Sequence, residues 1–173
     1  MIHFDTLTLH CRHSIIAKTK GGVLMAIEYR QYHYASQEHK KARILRYCIL
    51  RLGNGISDEC VQDVYGDDSP EKDHILLGAF DEDLLVGTVN LAPYGKNGLL
   101  LNALAIHDSR QGEGIGAKLV NYAHKIAKEQ GYCTIRLMGR SNVVEFYEKL
   151  GYTPTGVVKE YPQVTLIEMT LDL

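Results

Sequence analysis

Hydrophobic positions along the chain switch between a strand rhythm and a helix rhythm, and the switches predict its elements. From Val23 to Tyr34 the residues are β-branched, aromatic or alternating, as a strand prefers. Ser36 suits an N-cap, and Ala42, Leu45, Ile49 and Leu52 then recur at three- and four-residue steps. That pattern predicts an amphipathic helix over 37–52, stopped by Gly53-Asn54-Gly55. His74–Phe80 and Leu84–Ala92 read as strands joined through Asp81-Glu82-Asp83, a turn short enough for a hairpin. Leu99–Ile106 is almost wholly apolar, as expected of a central strand covered on both faces. Ile115, Leu119, Tyr122 or Ala123, and Ile126 mark a second amphipathic helix over 114–130, ended by Gly131. A strand over Tyr132–Met138, a short helix over Val143–Leu150 closed by Gly151, and a terminal pair, Val157–Tyr161 and Val164–Leu171 around Pro162, complete the pattern.

Helices alternating with strands force some parallel pairing, and the tight turn at 81–83 forces antiparallel pairing. The fold class expected is α/β with a mixed sheet flanked by helices. Residues 1–24 do not share the rhythm of the chain from Met25 onward, and read as an N-terminal extension whose standing the sequence leaves open. There is no internal repeat and no low-complexity tract.

Composition narrows the classes. A chain of 173 residues, 45% apolar, is one domain long. Its 19 Lys and Arg nearly balance 21 Asp and Glu, which argues against a nucleic-acid partner held by phosphate neutralisation. No stretch approaches the 18 consecutive apolar residues of a membrane span, and residues 1–24 lack the apolar centre of a secretory signal. Cys11, Cys48, Cys60 and Cys133 are scattered with no Cys-x-x-Cys pair, which reads as reduced thiols in a cytoplasmic protein. His10-Cys11-Arg12-His13 lacks the second ligand pair zinc wants, so no metal is expected. The helix 37–52 carries Lys40, Lys41, Arg43, Arg46 and Arg51, whereas 58–73 holds seven acids and Pro70. Charge runs of this kind mark solvated faces, and the acidic run reads as an exposed loop or short helix; the other reading of its acids is attraction of a cationic amine.

Three of the 16 glycines fall within five residues, in Arg110-Gln111-Gly112-Glu113-Gly114-Ile115-Gly116-Ala117. The segment joins a buried strand to an amphipathic helix. Glycine there lets the backbone turn sharply and come close to a ligand, and the first helical amides carry the positive end of the dipole. Together they make an anion site suited to a phosphate or pyrophosphate. Gly112-x-Gly114-x-x-Ala117 formally satisfies the dinucleotide fingerprint. The following strand, however, ends in Leu137-Met138-Gly139-Arg140, with no acid for a ribose, and too little chain remains for a doubly wound domain. No Gly-Lys-Ser/Thr comes next to make a Walker loop.

Gln111, Gly114 and Gly116 match the Gln/Arg-x-x-Gly-x-Gly/Ala signature of the GNAT superfamily of N-acetyltransferases. Asn142-Val-Val-Glu-Phe-Tyr-Glu-Lys-Leu-Gly-Tyr152 resembles the same superfamily's closing segment, at the usual distance downstream. The resemblance spans about 25–173 and implies a centrally splayed, GNAT-like acyl-CoA N-acyltransferase fold. It implies acetyl-CoA as co-substrate, its pyrophosphate held by amides of Gln111, Gly112, Glu113, Gly114, Ile115, Gly116 and Ala117. Main-chain groups of Leu104, Ala105 and Ile106 would meet the pantetheine arm much as an added strand pairs with a sheet edge.

Acetyl transfer from a thioester needs a neutral amine, a donor for the developing oxyanion and a proton for the departing thiolate. The resemblance implies a Leu104 N–H as oxyanion donor and Tyr147 as the thiolate's acid, the alternative being a packing role beside Phe146. Asn142 suits an N-cap, and by resemblance touches the CoA arm. The general base stays open. Leu99–Ile106 offers only Asn102 as a polar side chain, Glu28, Asp73 and His74 are carboxylates or imidazoles within plausible reach, and His107 reads as a loop histidine. The function implied is transfer of an acetyl group to a primary amine of a small molecule or peptide, with no nucleic-acid or membrane partner and with a homodimer allowed. The rival is an acyl-CoA-binding sensor that has lost transfer.

Overall fold

A computed structural model describes residues 26–51, 69–162 and 164–173. The 1–24 extension, the Gly53-Asn54-Gly55 stop and most of the acidic run therefore lie outside the described residues. Strand β1 (Glu28–Gln31) is followed by helix α1 (Gln37–Arg46), a π-type turn (Tyr47–Arg51) and a 3₁₀ turn (Ser69–Asp73). Then come β2 (Ile75–Asp81), β3 (Leu84–Tyr94), β4 (Gly98–Ile106), helix α2 (Ile115–Glu129), β5 (Thr134–Arg140), helix α3 (Val144–Glu148), β6 (Thr153–Tyr161) and β7 (Val164–Asp172).

The seven strands form one mixed sheet in the order β1-β2-β3-β4-β5-β7-β6. All neighbours are antiparallel except β4 and β5, the pair that α2 connects. The expected mixed sheet is therefore present. Glu82 and Asp83 make the β2–β3 turn, with Glu82 at φ 55°. The first strand is shorter than its 23–34 pattern suggested, and the first helix leaves α geometry after Arg46. Its start is as expected: the Ser36 hydroxyl accepts from the His39 N–H at 3.2 Å.

Period-two alternation gives the sheet two apolar faces. Leu77, Ala79, Leu99 and Leu101 pack with Leu119, Val120 and Ala123 of α2 on one face. Leu76, Phe80 and Ala105 pack with Ala42 and Leu45 of α1 on the other. The sheet is thus sandwiched between helices at its centre, while every residue of β6 is exposed at its edge. Cys133 is a free, exposed thiol.

Candidate active site

The centre of the sheet opens because β4 carries one residue too many. Thr88 faces Ala105 and Asn90 faces Asn102, so β4 spans the interval with an extra residue. This is a β-bulge, and Ala103 adopts φ 55° within it, a left-handed conformation uncommon outside glycine. The extra residue puts both Asn102 and Ala103 on the α1 side, lining a cavity there, and returns Leu104 to the α2 side. The parallel ladder between β4 and β5 covers only Gly98–Leu101 against Thr134–Leu137. Beyond it Asn102–Ile106 and Met138–Arg140 run on without pairing to each other, leaving a cleft whose β4 wall includes Leu104, Ala105 and Ile106.

At the end of β4 the chain makes a 3₁₀ turn (Asp108–Arg110), capped by His107, whose Nδ1 accepts the Ser109 N–H. Gln111 latches this turn to the strand. Its side-chain amide donates to the Ile106 carbonyl at 3.0 Å and to Asp108 Oδ1 at 3.1 Å, and its own N–H donates to the Asp108 carbonyl. Arg110 holds the turn from the other side, pairing with Asp81 of the β2–β3 hairpin and with Glu113. Gly112 and Gly114 come next at φ 81° and 75°, and Gly114 is the N-cap of α2 with no side chain to satisfy the helix's first amides. Those amides of α2 point out of the helix start with the dipole behind them, beside the mouth of the cleft. Because Gln111's N–H is already engaged, the open run is Gly112–Ala117 rather than 111–117. An anionic pyrophosphate fits this run on its own chemistry.

Tyr147 lies on the β5 wall. A Cβ built on Gly139 would sit 3.5 Å from the Tyr147 ring, so the ring lies over that glycine in the unpaired part of β5. It stacks edge-on with Phe146 and Tyr152, and burial pushes its phenol up to about 12. Tyr152 in turn hydrogen-bonds His124 of α2 at 3.0 Å. Burial, aided by the charge of Lys128, lowers the His124 imidazole to about 4, so it is uncharged at neutral pH. A histidine held neutral in the fold favours the native state above its ordinary value of 6.5, and this contribution is lost as pH falls through about 4. Denaturation curves between pH 7 and 4 should therefore show a steeper loss of stability in the wild type than in His124→Gln, which cannot take up the proton.

On the α1 side of the bulge lies a cavity of ≈ 280 Å³. Its wall is a buried polar network that the sequence pattern placed on solvated surfaces. Glu71 accepts from Arg46 Nη2 at 3.0 and 2.9 Å, from Asn90 Nδ2 at 3.2 Å and from His39 Nε2 at 3.0 Å. His39 is 1% exposed and Arg46 8%, so Arg46 is not part of a solvated basic face. The Ala35 N–H donates to His39 Nδ1, which leaves Nε2 as the protonated nitrogen facing the carboxylate. Burial alone would raise the Glu71 carboxyl, but the Arg46 charge and hydrogen bonds, with those of His39, hold it below its ordinary value. The π-type turn adds Tyr47 and Leu50 to the wall, and β4 adds Asn102. His74, between the 3₁₀ turn and β2, completes it.

Sequence reasoning missed Glu71, His39 and Asn90 as members of one site, since the contacts that join them are 19 to 32 residues apart in the chain. Two other candidates are elsewhere. Glu28 sits on the edge strand β1, mostly exposed beside Arg30. Asn142 is not the N-cap of α3, which is Val143; it is exposed in the preceding 3₁₀ turn (Ser141–Val143) and lines a separate cavity with Arg140 and Tyr161. Among the described residues no cluster of three metal-binding side chains occurs, and no helix is long and apolar enough to cross a membrane.

Residues 72–154, from the 3₁₀ turn to the start of β6, match the model of the acetyltransferase (GNAT) domain. A Bacillus subtilis (strain 168) protein assigned as an acetyltransferase is 37% identical over 79 residues, covering 46% of this chain. The chain spans 52% of that relative's length. A crystal structure assigned as an N-acetyltransferase from Lactobacillus plantarum shares the fold at TM-score 0.72 and 22% identity, over 86% of this chain and 99% of its own. The crystal structure of an aminoglycoside 6'-N-acetyltransferase complexed with coenzyme A aligns at TM-score 0.65 and 26% identity, over 84% of this chain and 96% of its own. Residues 72–154 thus match an acetyltransferase (GNAT) domain, and the chain shares the fold of GNAT acetyltransferases.

Proposed function

We propose that the protein transfers an acetyl group from acetyl-CoA to a primary amine of a small molecule or peptide by direct attack on the thioester. The observation that carries this reading is the cleft between β4 and β5, which has an anion cradle at one end and a cavity opening from its bulge on the α1 side. Acetyl-CoA, when bound, supplies the activated acyl carbon and a thiolate leaving group. Gly112–Ala117 would hold its pyrophosphate through main-chain N–H groups, and Leu104–Ile106 would meet its arm with main-chain atoms. The Ile106 carbonyl is already taken by Gln111, so Leu104 and Ala105 carry more of that pairing. The Leu104 N–H, just past the bulge, would donate to the oxyanion as charge develops there. Tyr147 would donate to the sulfur. The CoA-bound neighbour named as an aminoglycoside 6'-N-acetyltransferase supports a small polyamine-like acceptor.

The test is release of free CoA thiol and product mass with kanamycin A, spermidine and a lysine peptide as acceptors. Tight CoA binding with no thiol released from any of them would support the acyl-CoA sensor, a reading that the lack of a carboxylate on β4 favours. Gly114→Val bears on the cradle itself. A β-branched residue at φ 75° is strained, and any relaxation moves the first turn of α2. The Kd for coenzyme A by calorimetry should rise about tenfold, the equivalent of roughly 1.4 kcal/mol.

A further inference from the structure

We propose that His74 is the general base, its imidazole taking the proton from the acceptor's ammonium group in the cavity beside the β4 bulge. The inference rests on the acetyl-transfer reading and supplies the group that the sequence left open. The described titratable residues lining this cavity are Arg43, Arg46, Tyr47, Glu71 and His74. The arginines are cations with no acceptor nitrogen. Glu71 is saturated by four hydrogen bonds and held below its ordinary value, so it is a weak proton acceptor. Asp73 is exposed on the 3₁₀ turn and is not among the lining residues, and Glu28 stands on the far edge of the sheet. Tyrosine is a donor at neutral pH.

His74 has the opposite properties. It follows the 3₁₀ turn and precedes Ile75, whose side chain packs on the α2 face, so alternation turns the imidazole to the α1 face and into the cavity wall. Its Nδ1 is sealed from solvent with no hydrogen-bond partner among the described residues, which leaves proton exchange with the cavity to Nε2. Asn90 Oδ1, on the same wall, is a buried acceptor also without a partner among the described residues. Burial lowers the imidazole below 6.5; Glu71 and Asp73 oppose this and Arg46 reinforces it, so His74 is neutral at pH 7.

The proton count closes. One ammonium proton passes to Nε2, the freed lone pair forms the C–N bond as the C–S bond breaks, and the second nitrogen proton leaves after attack while the thiolate gains one. Asn102 and Ala103 sit between this cavity and Leu104, which puts the base on the nucleophile's side and the oxyanion donor across the strand.

The experiment compares the wild type with His74→Gln on two acceptors. Kanamycin A carries ammonium groups at pH 7, whereas hydroxylamine is already neutral. Loss of a general base should lower kcat/KM for kanamycin A at pH 7 about 100-fold, with a deficit at least tenfold smaller for hydroxylamine. The kanamycin deficit should shrink at pH 9, where the amine is free. In parallel, the histidine NMR titration of the unliganded wild-type chain should show a resonance, absent from His74→Gln, that titrates below 6.5. This readout needs no turnover, and His74→Asn serves for the same assignment should His74→Gln fold poorly. Equal losses for both acceptors, or a His74 titration above 7, overturn the assignment while acetyl transfer stands. Absence of wild-type turnover with every amine overturns the transfer reading and this assignment with it.

Discussion

Replacing Tyr147 by phenylalanine should lower kcat at least tenfold and leave the affinity for acetyl-CoA nearly unchanged. The substitution removes one hydroxyl and keeps the ring over Gly139, between Phe146 and Tyr152, so packing is preserved and no cavity forms. What is lost is a donor beside the unpaired end of β5. Burial holds the phenol at about 12, so it carries its proton throughout the working pH range. A thiol near 8.5 is the stronger acid by roughly 3.5 pK units, about 5 kcal/mol. On the proposed reading Tyr147 would therefore act as a hydrogen-bond donor that meets charge on sulfur as the bond breaks, because outright proton transfer stays uphill even to the fully formed thiolate. A hydrogen bond to a charged group contributes about 1.5–3 kcal/mol, which corresponds to roughly ten- to hundredfold in rate. Steady-state kinetics with calorimetric Kd values check this. A kcat equal to the wild type's removes Tyr147 from the chemistry and leaves it a packing residue.

Glu71→Ala should cost about 2–4 kcal/mol of folding stability, because it leaves a buried guanidinium without its counter-charge. Arg46 Nη2 and His39 Nε2 both donate to this carboxylate, and Asn90 Nδ2 is a third donor. Alanine removes four hydrogen bonds and strands Arg46 at 8% exposure, whereas Glu71→Gln keeps an acceptor and should lose less. Urea denaturation at pH 7 measures the difference; a loss below about 1 kcal/mol would mean that water replaces the carboxylate freely. The lowered carboxyl sets the sign with pH. Its ionic contribution is fully present above its ordinary 4.5 and disappears as pH falls through the lower folded value, so Glu71→Gln should converge on the wild type in acid while Glu71→Ala narrows its deficit without closing it.

Tyr147, Leu104 and the glycine run were legible in the chain because they belong to local patterns: a strand, a loop of glycines, an amphipathic helix and an aromatic pair at fixed spacing. The Glu71 network was not. Glu71 read as one acid among seven on an exposed segment, and Arg46 as one base on a charged helix, since periodicity records which face a residue takes only when apolar residues mark that face. Asn142 failed as a cap for a related reason: a 3₁₀ turn came first and moved the true cap one residue on, to Val143.

The sequence by itself determined the order of strands and helices, the mixed sheet and the place of the glycine loop, because alternation, helical period and glycine spacing are properties of neighbouring residues. Only the tertiary structure decided where the sheet opens and what faces the opening. That depended on the extra residue at Ala103, which no pattern in an apolar run distinguishes, and on bringing His39, Arg46, Glu71 and His74 around one cavity. A bulge is a difference in length between two paired strands, and a buried ion pair is a contact between distant segments. Both exist only once the strands are in register.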